Sequence, residues 1–225
     1  MICLVTDRRR LVAAGAAPGA SRACLVVQAR HAVDAGIDLI QVRERDLDAR
    51  ELAAVVTDLL AVTRATPTRI VVNDRMDVAL ACRADGVHLR GDSIPIADAR
   101  RIAPAGFLIG RSVHGVDEAI SAAGADYLIA GTVFASSSKP ASAPLLGIEA
   151  LRSIAKAVDL PVLAIGGIAG DRIGEVAAAG AAGFAAIGVF MASQLEADGA
   201  ACRVVELRHI VNAARSRFDR LKTTP

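Results

Sequence analysis

Eight short apolar runs recur along the 225 residues, at 2–6, 38–43, 69–73, 86–89, 107–112, 127–133, 161–166 and 183–189. Most are continuous rather than alternating, the pattern of parallel strands covered on both faces. Helical periodicity fills the gaps. The segment 49–64 places Leu52, Val55, Val56, Leu59 and Leu60 on one face, and 117–123, 148–157 and 171–179 read the same way. Asp48, Asp117 and Asp171 are the expected N-caps. Such an alternation, about eight units long, predicts an α/β chain folded as a single (β/α)8 TIM barrel. A doubly wound sheet would carry G-x-G-x-x-G after its first strand, and none follows residues 2–6.

A weak repeat supports the count. Ala35-Gly36-Ile37-Asp38, Ala84-Asp85-Gly86, Ala123-Gly124-Ala125-Asp126 and Ala179-Gly180-Ala181-Ala182-Gly183 each lead into an apolar run. They read as glycine-capped turns from helix to strand. The barrel domain is expected over 1–214, with 215–225 as a C-terminal tail. The one irregular stretch, 135–146, follows the sixth strand and is rich in Ser, Pro and Ala. Loops of that length are usually functional or mobile.

Composition narrows the partners. A net charge of +2 does not by itself suggest nucleic acid, and basic clusters such as Arg8-Arg9-Arg10 read as solvated faces or helix ends. The most membrane-like run, 176–192, is broken by Gly180, Gly183 and Gly188, so no membrane partner is expected. Cys3, Cys24, Cys82 and Cys202 show neither C-x-x-C nor zinc spacing and read as free thiols of a cytoplasmic protein. Homo-oligomerisation is left open.

In a barrel, the polar residues that end the strands converge on one face. Gln41, Arg43 and Arg45 alternate, so all three point the same way. Two readings stand side by side: a guanidinium clamp for phosphate, or an internal salt bridge to Glu44 or Asp46. Asn73-Asp74 ends the third strand, as a helix cap or as a phosphate amide beside a magnesium carboxylate. His88 lies in the fourth strand and Asp92 in the turn after it. Ser112 and His114 end the fifth strand without the elbow of a serine hydrolase. Ser136, Ser138 and Lys139 offer hydroxyls and an ammonium to an anion. Gly166-Gly167 exposes backbone N–H groups where barrels commonly hold phosphate, with Ile187-Gly188 one unit later.

As an ordered set these motifs resemble the thiamine phosphate synthase/thiazole tautomerase family. They are Gln41-Val42-Arg43-Glu44-Arg45, Val72-Asn73-Asp74, Gly86-Val87-His88-Leu89, Gly110-Arg111-Ser112-Val113-His114, Gly131-Thr132-Val133-Phe134, Ser136-x-Ser138-Lys139 and Ile165-Gly166-Gly167-Ile168. The resemblance covers about 2–192. It implies a cytoplasmic enzyme of thiamine biosynthesis with small phosphorylated substrates and Mg2+. In the synthase, an aminopyrimidine diphosphate ionises and the nitrogen of a thiazole phosphate captures the cation.

By similarity Arg43, Arg45, Asn73 and Lys139 would bind diphosphate, Asp74 would hold the metal, and Gln41 and Ser112 would meet the pyrimidine; Asp92, in the turn after the fourth strand, is the candidate second metal ligand, one position before the family's acid. Ser136, Ser138, Gly167, Ile187 and Gly188 would hold the thiazole phosphate. Arg43, Lys139, Ser112 and His114 would be the catalytic groups. The chain departs from the synthase pattern His-x-Gly-Gln-x-Asp, reading His88-Leu89-Arg90-Gly91-Asp92-Ser93. Milder departures are Arg45 for Lys and serines for threonines at 136 and 138. The alternative tautomerase expects a histidine where Thr132 stands. A third reading is a catalytically silent paralogue that binds the precursors.

Overall fold

The computed structural model describes residues 1–12, 19–136, 142, 144–191 and 207–222. Eight parallel strands close into a barrel in chain order, each hydrogen-bonded to the next and the eighth to the first. They are β1 (Ile2–Val5), β2 (Leu39–Val42), β3 (Arg69–Asn73), β4 (Gly86–Leu89), β5 (Leu108–Val113), β6 (Tyr127–Gly131), β7 (Val162–Ile165) and β8 (Gly183–Ala186). The alternating helices are α1 (Ala20–Ala35), α2 (Ala49–Thr63), α3 (Met76–Ala81), α4 (Ile96–Ile102), α5 (Val116–Ser121), α6 (Gly147–Ala157), α7 (Ile173–Ala178) and α8 (Arg208–Lys222).

Strand parity divides the core in two. Cys3, Val5, Leu39, Val71, Tyr127, Ile129, Leu163 and Ala185 fill the barrel interior. Their neighbours along the strands, such as Leu4, Ile40, Val72, Leu128 and Ala164, pack outward against the helices. Runs covered on both faces have no polar side to show, which is why they read as continuous.

The caps follow the sequence only in part. Asp48 closes α2 with a full capping box, its side chain accepting from Glu51 N–H at 2.8 Å. Asp117 lies inside the first turn of α5 behind Gly115, and Arg172 precedes α7 where Asp171 was expected. Gly36, Gly124 and Gly180 take positive φ as expected, but before β4 that conformation falls to Arg83 (φ 54), and Gly86 is inside the strand.

The expected boundary at Arg215 falls inside α8. The helix continues because Phe218 is buried there and stacks on Phe184, with ring centroids 6.5 Å apart. The expectation of four free thiols also needs correction. Cys3 and Cys82 are free, but Cys24 is disulfide-bonded, a pairing in space that sequence spacing does not reveal. Among the described residues no helix is long and apolar enough to cross a membrane.

At the N-terminal rim, three aspartates of the repeat do the same work. Asp38, Asp85 and Asp126 accept from the N–H groups of Ile2, Ile70 and Ile109, at 2.7, 2.7 and 2.6 Å. Each is also paired with an arginine: Arg215, Arg69 and Arg100 respectively. In these three copies the repeat therefore marks a turn and also ties β2, β4 and β6 to the strand before each in the barrel.

Candidate active site

The same parity gathers the polar strand endings at the opposite rim. Gln41 continues the inward series of Leu39, and in the strand register Asn73 lies beside His88, and His88 beside Gly110. Gln41 is buried and its Nε2 donates to Asn73 Oδ1 at 3.4 Å. Gln41, Asn73 and His88 line a cavity of about 1350 Å³ together with Arg43, Arg45, Arg90, Ser112, Thr132, Ser136, Gly167, Ile187 and Gly188. His114 and Asp92 also reach it. Ser138 and Lys139 lie outside the described residues.

The two guanidiniums of β2's extension are free to meet an anion. Glu44 and Asp46, their candidate partners in sequence, turn instead to Arg8. Its Nη1 lies 3.0 Å from Glu44 Oε2 and its Nη2 2.7 Å from Asp46 Oδ2. That contact holds the Asp46 carboxyl down at about 2. Among the described residues no carboxylate pairs with Arg43 or Arg45. Burial, and then the adjacent Arg45 charge, pulls the pKa of Arg43 below its ordinary value. An arriving phosphate relieves that cost.

Buried His88 and Tyr127 form a hydrogen-bonded chain with half-buried Ser112. His88 Nε2 is 2.9 Å from Ser112 Oγ, and Nδ1 is 3.3 Å from the Tyr127 hydroxyl. Burial, helped by the charge of Arg111, lowers His88 to about 3, so the ring is neutral near pH 7. A neutral imidazole has one donor and one acceptor nitrogen, so the two hydroxyls play opposite roles toward it. Gly110 makes the packing possible, since a Cβ there would run into both rings. His114 is exposed and lies on the rim, its Nδ1 3.1 Å from Glu118 Oε2.

The second phosphate-like feature follows β7. Gly166 and Gly167 have φ of 103° and 61°, and a Cβ on Gly167 would collide with the backbone at Ala135. Arg172 Nη1 donates to Gly167 O at 3.0 Å while its guanidinium stacks over Phe134 at 4.7 Å. Sequence reasoning missed Arg9 and Arg10 as cavity residues: exposed Arg9 and half-buried Arg10 both line it. Arg10 Nη2 comes within 3.8 Å of where a Gly188 Cβ would stand.

A smaller cleft of about 210 Å³ adjoins this cavity and holds Asp74, with Arg45, Asn73 and Arg90 lining both. Asp74 Oδ1 accepts from the Ser93 hydroxyl, and Oδ2 is 3.6 Å from Arg90 Nη1. Asp92, expected as the second metal ligand, is 69% exposed at its side chain and pairs with Arg90 Nη2 at 2.5 Å. Among the described residues no three His, Cys, Asp or Glu side chains gather as a metal site. With Asp74 Oδ1 hydrogen-bonded to Ser93, a guanidinium 3.6 Å from its Oδ2 and Asp92 paired with that same arginine, this donor set does not fit a resident divalent ion.

Comparison with known proteins identifies the family. Residues 10–190 match the family model for thiamine monophosphate synthase. A thiamine-phosphate synthase of Methanoregula boonei is 45% identical over 197 residues, covering 87% of this chain and 85% of its own. That of Methanoculleus marisnigri is 45% identical over 161 residues, 71% of this chain and 76% of its own. A solved structure of thiamine phosphate pyrophosphorylase from Pyrococcus furiosus superposes with a TM-score of 0.75 at 35% identity, covering 98% of this chain and 96% of that one. The chain belongs to the thiamine monophosphate synthase family.

Proposed function

We propose that the chain is a thiamine phosphate synthase, an alkyl transferase. It would join 4-amino-2-methyl-5-pyrimidinylmethyl diphosphate to the thiazole phosphate and release pyrophosphate. The observation that carries this reading is the pair Arg43 and Arg45, two guanidiniums at the cavity mouth without a carboxylate partner among the described residues. A leaving diphosphate needs concentrated positive charge where its own negative charge grows.

The bond between the pyrimidine methylene carbon and the diphosphate oxygen breaks, and its electron pair leaves with pyrophosphate. The thiazole nitrogen lone pair then forms the new C–N bond, with no net proton transfer. Arg43, Arg45 and Asn73 would stabilise the departing charge. Gln41 and the Ser112 hydroxyl, held by neutral His88, would orient the pyrimidine. The glycines after β7, with Ser136, Ile187 and Gly188, would seat the thiazole phosphate through backbone N–H groups. The resemblance implies magnesium, which the Asp74 and Asp92 donor set does not fit as a resident ion.

Both substrates carry phosphate charge and do not cross a membrane unaided, which suits a cytoplasmic site of action. Thr132 offers no group that titrates near neutrality, which weighs against the tautomerase; His114 would have to stand in for the missing histidine. Incubating purified chain with both substrates is expected to give thiamine phosphate and pyrophosphate in equal amounts. Aromatisation of the thiazole carboxylate without any thiamine phosphate would overturn the reading.

A further inference from the structure

Two carboxylates and one guanidinium meet on the loops that follow β3 and β4. Asp74 and Asp92 are the acids between which a divalent ion was expected, and Arg90 bridges them with one nitrogen toward each. The loop is braced for this: the Arg90 N–H donates to Ser93 Oγ at 2.9 Å, and the Ser93 hydroxyl in turn donates to Asp74. Arg90 also faces both the main cavity and the Asp74 cleft, beside Arg45 and Asn73. Its side chain is 46% exposed, so it is reachable from the cavity.

We propose that Arg90 is a built-in substitute for the divalent cation, its guanidinium bridging Asp74 and Asp92 while presenting N–H groups to the substrate diphosphate. The inference rests on the synthase reading for the identity of its ligand. A guanidinium is planar and always charged, and it matches phosphate oxygens two at a time. The Ser93 hydroxyl already bonds Asp74 Oδ1, and the Arg90 guanidinium stands 3.6 Å from Oδ2, placing positive charge where a magnesium ion would bring its own. Diphosphate affinity in this chain therefore depends little on metal.

The test uses the full chain, inorganic pyrophosphate and Mn2+ as probes, and the variants Arg90→Gln and Arg90→Lys. By calorimetry in EDTA, the wild type is expected to bind pyrophosphate within about tenfold of its affinity in magnesium. Arg90→Gln should lose about tenfold or more in EDTA, with Arg90→Lys in between. By electron paramagnetic resonance, Arg90→Gln should bind Mn2+ more tightly than the wild type, because the two carboxylates are released. The proposal is overturned if the wild type binds pyrophosphate only with a divalent ion, or if Arg90→Gln binds it in EDTA as the wild type does. It is equally overturned if the Mn2+ affinities are the same. If these binding results hold but no thiamine phosphate forms at any magnesium concentration, the synthase reading fails and the role of Arg90 stands.

Discussion

The two rims of the barrel use arginine in opposite ways. At the N-terminal rim Arg69, Arg100 and Arg215 each meet an aspartate that is also accepting a strand N–H. At the C-terminal rim Arg43 and Arg45 have no such partner among the described residues, because Arg8 takes the acids beside them. An arginine matched by an aspartate that also holds a strand N–H serves stability; Arg43 and Arg45, unmatched at a cavity, are available to a ligand, and Arg90 reaches the same cavity from between two acids. The difference separates the residues that hold the barrel from those that run the reaction.

The sharpest way to break this contrast is Arg43→Ala. It is expected to lower kcat/KM by about 100- to 1,000-fold with an unchanged melting temperature, read by steady-state kinetics and thermal unfolding. Asp126→Ala works on the other rim. It strips the acceptor from Ile109 N–H and the partner from Arg100. Urea unfolding should show a loss of about 2–3 kcal/mol, while kcat at 25 °C stays the same.

His88 joins the two themes, being a site residue whose charge state the fold sets. Its pKa is depressed in the folded protein, to about 3 from an ordinary 6.5. The unfolded chain then binds the proton that the folded one refuses, so stability present above pH 6.5 is lost as pH falls toward 3. The slope from this group is at most about 1.4 kcal/mol per pH unit, and His88→Gln should flatten it in urea melts across that range. Arg22→Ala sets the lower bound. Its exposed pair with Asp58 on the helical surface should contribute under about 0.5 kcal/mol.

Much of this was legible in the chain itself because parity and periodicity are local. Residues 69–73 and 86–89 coincide with β3 and β4, and the alternation of Gln41 with Val42 places one inside the cavity and the other outside. Partner choice is not local. Nothing near Glu44 in sequence shows that it belongs to Arg8, 36 residues earlier. Ser93 was overlooked because a hydroxyl carries no charge pattern, although it is the group that touches Asp74. Arg9 and Arg10 looked like surface because a basic run has no periodicity to reveal that two of its members face a cavity.

The most direct test compares Arg43→Ala with Arg69→Ala, the same residue type removed from opposite rims. Calorimetric titration with pyrophosphate is the measurement. Arg43→Ala should lose about tenfold or more in affinity, whereas Arg69→Ala should bind as the wild type does. Equal affinity in both variants, or a larger loss on removing Arg69, would contradict the division of the barrel into a matched rim and a binding rim.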